Sequence, residues 1–164
     1  MGGFELFKKA VQRGSYGLAA FGMLWAIPLM LLTTADVVGR DFFNKPVAGT
    51  LEVSEYMLAV LILLGAAYTQ QVKGHVAVDF FTGRFSPKTR VYFDVLTTGL
   101  SLFIVAILTW QGFVLGIQET AVTDQLRIPK APFKLLVGIG GALLWLELFV
   151  DLVDSIGKIR RGAF

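Results

Sequence analysis

Three stretches of this chain carry no charged residue over distances that match a lipid bilayer. Residues 14–35, 56–72 and 95–118 contain no Asp, Glu, Lys or Arg, and a fourth run, 135–150, is interrupted only by Glu147. A helix needs about 20 predominantly apolar residues to cross the hydrocarbon core. The four runs therefore predict four transmembrane helices, at about 15–37, 53–72, 92–118 and 132–153. They consume at least half of the 164 residues. The longest remaining piece, about 73–90, is too short to fold as a domain of its own. The expected fold class is an all-α integral membrane protein, a single membrane domain over residues 1–164.

Composition agrees with that reading. Charged residues make up 16% of the chain, against roughly 25% in an ordinary soluble domain, and the mean hydropathy is +0.67. The first apolar run is longer than a signal-peptide core and leads into "LLTTADVVGRDFF", which has no small-residue cleavage pattern, so it reads as a retained span. Cysteine is absent, which excludes disulfides and thiolate chemistry.

The basic residues fix an expected orientation. With four spans, the N-terminus, second loop and C-terminus share one side and hold ten Lys and Arg, while the first and third loops hold five. The positive-inside rule then places both termini in the cytoplasm, with loops 38–51 and 119–131 outside. Two surface segments have helical amphipathicity. In 3–13, Phe4, Leu6, Phe7, Ala10 and Val11 share one face and Glu5, Lys8, Lys9, Gln12 and Arg13 the other. In 75–86, Val76, Ala77, Val78, Phe80, Phe81 and Phe85 lie opposite Asp79, Thr82 and Ser86, with Arg84 the exception, whose side chain can snorkel to the headgroups. Both predict short helices lying in the interface among membrane lipids, the second stopped by Pro87.

The single histidine, His75, stands at the start of that second segment in "KGHVAVDFF". A metal site needs several converging ligands, and with no second histidine a bis-histidine haem is excluded. Gly74, His75 and Asp79 are therefore read as an elbow between spans. A proton relay or metal ligand at His75 is the competing reading. No catalytic residue, metal site or cofactor is expected. The chain has no Gly-rich phosphate loop, nucleophile triad or basic-aromatic patch for nucleic acid.

Inside the spans, small and acidic residues mark candidate partner-helix packing faces. Glu147, Asp151, Asp154, Lys158 and Arg161 fall on one stripe of the fourth span, continued by Gly140, and Asp154 with Lys158 makes a favourable i,i+4 pair. A carboxylate as deep as Glu147 is a functional candidate by default. The plainer reading pairs it with a donor on a neighbouring helix. Gly112 and Gly116 form a GxxxG spacing in the third span, with Asp94 on the same stripe. Glu52 and Glu55 open the second span, where acids suit a helix N-terminus. Gly22 and Ala26 are spaced for close packing in the first, followed by an expected kink at Pro28.

The middle of the chain resembles a known family. Arg40, Phe43, Asn44, Pro46 and Gly49 in the first loop, Glu52, Gly65-Ala66-Ala67-Tyr68, Gly74-His75-Val76, Val78-Asp79, Pro87 and Arg90 follow in the order found in the DctQ-like small membrane subunits of tripartite ATP-independent periplasmic (TRAP) transporters. The resemblance covers about residues 40–90. It implies a small four-helix subunit in a bacterial inner membrane, accompanied by a large multi-span permease and served by a soluble periplasmic substrate-binding protein. It implies uptake of an organic acid, driven by an ion gradient, usually sodium. The large subunit would hold the substrate and ion sites and move as an elevator, with this chain as scaffold and anchor. It also makes Arg40, Asp41, Lys45, Glu119, Asp124, Arg127 and Lys130 candidates for docking the binding protein. Two other readings stay open at this level: a self-sufficient proton-coupled four-helix exporter using Glu147, and a structural anchor of another membrane complex.

Overall fold

A computed structural model describes residues 2–74 and 86–161 of the chain. The expected second surface helix, with His75 and Asp79, lies outside the described residues. Among the described residues five helices follow in order: α1 (Gly2–Leu24), α2 (Ala26–Phe43), α3 (Thr50–Gln71), α4 (Pro87–Gln118) and α5 (Ala131–Arg161). Four helical stretches among those residues are long and apolar enough to cross a membrane, with α1 and α2 together forming the first. Among the described residues the only β feature is an isolated antiparallel bridge, Val122 to Pro129.

Segment 3–13, expected as a short interfacial helix, forms the first part of α1, which continues without a break until the interruption at Trp25. Pro28 explains the position. It has no N–H for the carbonyl four residues back, and its ring crowds that carbonyl, which belongs to Leu24. The break is mild, because Trp25 keeps right-handed helical dihedrals (φ −69°, ψ −17°). Its N–H bonds to Gly22 O at 3.0 Å, a tightened turn, and Leu29 N–H restores the ladder on Trp25 O at 3.2 Å.

The other helix ends follow local chemistry. Asn44 takes the left-handed conformation after α2 (φ 49°), and Lys45 N–H closes on Gly39 O at 2.9 Å, a cap that asparagine tolerates better than most residues. Ser86 caps α4 by accepting the Thr89 N–H at 3.3 Å, with proline in the first turn. Pro87, expected to stop a preceding helix, thus opens α4, the role that a missing N–H and a fixed φ suit. At 32 residues α4 is about 48 Å long. That exceeds a hydrocarbon core of about 30 Å and extends the helix beyond the expected 92–118.

Packing is unequal. α4 lies extensively along α5 alone, α5 also packs on α3, and α3 carries α1 and α2. Glycines set the closest approaches. A Cβ at Gly112 would meet Gly138 N at 2.7 Å, one at Gly116 would meet the Leu135 side chain at 2.7 Å, and one at Gly141 would meet Thr109 Oγ1 at 2.6 Å. Gly140 brings α5 against α3, where a Cβ would lie 2.7 Å from Leu63 O, and Gly22 seats α1 on Leu64. Tyr56 of α3 stacks on Phe133 of α5, ring centres 4.0 Å apart.

Candidate functional site

The polar groups of the bundle gather at its two ends. At the end where α1 begins and α5 finishes, three carboxylates on one face of α5 are each met by another helix. Asp154 pairs with Lys8 of α1. Asp151 accepts from Gln70 Nε2 of α3 at 2.7 Å and pairs with Lys73, in the turn just past the end of α3. Glu147, deepest in the apolar run, accepts from Ser15 Oγ of α1 at 2.6 Å. Ser15 is fully buried and Glu147 only 3% exposed. The spacing 147, 151, 154 follows the helical period, so one stripe presents three acceptors that α1, α3 and α1 answer in turn. Asp154 takes Lys8 as its partner rather than Lys158, which is exposed.

The opposite end is laced through backbone amides. Glu52 accepts from Gln125 N at 2.7 Å and Leu126 N at 3.1 Å, and Gln125 Oε1 accepts from Gly49 N at 2.7 Å. Gly49 has φ 79°, and a Cβ there would strike the Leu126 side chain at 2.5 Å, so loop 44–49 and loop 119–130 interlock at a position that favours glycine. Asp36 is 5% exposed. One of its oxygens pairs with Arg40, and the other accepts from Val47 N at 2.9 Å. Glu119 pairs with Lys134 and accepts from Ala121 N at 3.0 Å. The Lys134 ammonium, helped by that amide, holds the Glu119 carboxyl below its ordinary range.

The packing candidates separate into three groups, of which the first is Glu52 alone, bonded to a loop and not to a helix. Gly112, Gly116, Gly140, Glu147 and Asp151 meet helices of this same chain. Glu55 and Asp94 are exposed. Gly74 ends the described stretch, with its N–H on Thr69 O at 2.8 Å. The charged loop residues Arg40, Asp41, Lys45, Glu119, Asp124, Arg127 and Lys130 all lie at the interlocked end. Arg40 and Glu119 are tied internally, while Asp41, Lys45, Asp124 and Arg127 are exposed. Sequence reasoning missed Asp36, although its i,i+4 spacing to Arg40 was a usable signal. It also missed Ser15, for which an isolated serine in an apolar run offers none.

Comparison with known proteins decides the family. The family model for the DctQ component of tripartite ATP-independent periplasmic transporters matches residues 29–157. The chain belongs to the DctQ family. A Haemophilus influenzae protein that carries the name TRAP transporter small permease protein is 26% identical over 137 residues, covering 82% of this chain and 84% of its own length. This DctQ protein is therefore a TRAP transporter small subunit and a multi-pass membrane protein, and its family membership implies association with other TRAP components. Lys8 and Ser15 precede the matched region, while their partners Asp154 and Glu147 fall within it.

The Glu52 interlock makes a prediction for the DctQ loops. Glu52→Ala removes the acceptor of two backbone amides, each bond worth about 1 kcal/mol. Amide exchange at Gln125 and Leu126 should then quicken roughly fivefold, with α3 and α5 unaffected. Unchanged exchange at these two amides would show that the loop is held by other contacts.

Proposed function

We propose that this DctQ subunit is the static scaffold of a TRAP transporter in the bacterial inner membrane. It would anchor the large elevator-type permease for sodium-gradient-driven uptake of an organic acid delivered by a periplasmic binding protein. The observation that carries the reading is the pairing of Glu147, Asp151 and Asp36 inside the chain. These three carboxylates lock helices to each other and to a loop, as suits an element that holds still while a partner moves. Broad apolar surface supports the same view: Leu102 is buried, whereas Phe103, Trp110 and Ile117 on α4 are each more than 60% exposed. Such faces suit lipid or the helices of a large subunit.

Mild-detergent purification of the tagged protein from its native membranes tests the proposal. A large multi-span permease recovered in about one-to-one amount supports it. Recovery of this chain alone, as a homodimer, overturns it and returns Glu147 to consideration as a transport residue. The fully internal pairing of Glu147 with Ser15 weighs against that exporter reading.

In the proposed orientation both termini are cytoplasmic and the interlocked loops are periplasmic. The exposed Asp41, Lys45, Asp124 and Arg127, with Lys130, then face the binding protein. Exchanging Lys45 and Arg127 together for Glu should lower uptake severalfold at limiting binding protein and leave permease co-purification intact. Unchanged uptake would remove these loops from the docking surface.

A further inference from the structure

Two neighbouring basic residues on α1 have no carboxylate to answer them among the described residues. Lys8 is paired with Asp154 and Lys73 with Asp151, which neutralises both against α5. Lys9 and Arg13, one turn apart and exposed, form no ion pair among the described residues. They border a cleft of about 490 Å³ between the start of α1 and the end of α3, lined also by Gln12, Tyr16, Tyr68 and Gln71. Tyr16 and Tyr68 meet edge to face across the two helices, ring centres 5.7 Å apart. The cleft sits where the uncharged run of α1 begins, at residue 14, and where that of α3 ends, at residue 72. This is the boundary between apolar span and charged end, the level of lipid headgroups.

We propose that this cleft binds the anionic phosphate headgroup of a membrane lipid. Lysine and arginine at i,i+4 project from one side of the helix. The guanidinium can grip two phosphate oxygens at once while the ammonium supplies a second charge. Tyrosine rings suit the same depth, with an apolar body toward the acyl region and a hydroxyl toward water. With Lys8 and Lys73 paired to α5, Lys9 and Arg13 are the cations that line the cleft among the described residues.

Native mass spectrometry of the purified full chain tests this, after exchange into micelles containing phosphatidylglycerol or phosphatidylcholine. The wild-type protein should retain one phosphatidylglycerol in preference to phosphatidylcholine. Retention should fall roughly thirtyfold in Lys9→Gln/Arg13→Gln, since each basic residue near an anionic headgroup contributes about a fivefold share. Both side chains are exposed, so the variant should keep the wild-type melting temperature. The control Lys158→Gln/Arg160→Gln removes the same charge from exposed positions on α5 and should retain lipid. Equal retention by wild type and the α1 variant overturns the proposal, as does equal loss in the control, which would mean unspecific attraction. Inorganic phosphate separates the two sources of the anion. If it displaces phosphatidylglycerol at comparable concentration, the cleft holds free phosphate and the lipid assignment falls.

Discussion

Gly140→Leu is expected to unseat α5 from α3 and lower the melting temperature of the purified protein in detergent. The clash is with backbone: even a Cβ would stand 2.7 Å from Leu63 O and 3.2 Å from Leu63 Cβ. A side chain can rotate away, but a carbonyl in a helix moves only if the helix moves. Overpacking of this kind costs about 1–3 kcal/mol or more, and Gly140→Ala should fall between wild type and leucine. Gly65→Ala is the internal control, because nothing lies within 4 Å of its Cβ position. Alanine favours a helix over glycine by about 1 kcal/mol, so that variant should match or exceed wild type. An equal loss at Gly65, which lies on α3, would mean that replacing a glycine in either helix, rather than the clash with Leu63, sets the melting temperature.

Ser15→Ala is the second large effect. It removes the hydroxyl that donates to Glu147 Oε1 and leaves a nearly inaccessible carboxylate without that donor. A buried polar group stripped of its partner costs about 1–3 kcal/mol, and the apolar span offers little water to replace it. Glu147→Gln should cost less, since its amide oxygen still accepts the same bond. The two sites together should show a coupling of about 1 kcal/mol in a double-mutant cycle, in line with hydrogen bonds inside membranes. Independent effects would show that Ser15 acts through packing alone. The pair also bears on function. A transport residue at Glu147 would lose activity on conversion to Gln with stability intact, whereas a structural one tracks the Ser15 effect.

These two residues also show where the sequence is legible. The four spans could be read directly, because the cost of burying charge in lipid leaves long uncharged runs behind. The close approach at Gly112 could be read from its spacing, but not its partner Gly138, since small residues record proximity without naming the neighbour. The break near Pro28 was predictable in kind. It falls at Trp25 because the lost hydrogen bond belongs to the carbonyl four residues earlier. Glu147 drew attention through its charge, while Ser15, 132 residues away, is an ordinary residue whose role exists only once the helices are packed. Glu52 was placed correctly at a helix start. Its work there is to hold a distant loop, which local propensity does not encode.

The ties between the first helix and the last carry a consequence for how the protein is made. Lys8 and Asp154 stand 146 positions apart, and Ser15 waits for Glu147 across nearly as much chain. While the ribosome is still working, α1 enters the bilayer with no mate for either group. A nascent chain interrupted before residue 147 would present an open polar seam to lipid, the kind of defect that membrane proteases recognise. Closure of the seam between α1 and α5 therefore has to wait until α5 has been made.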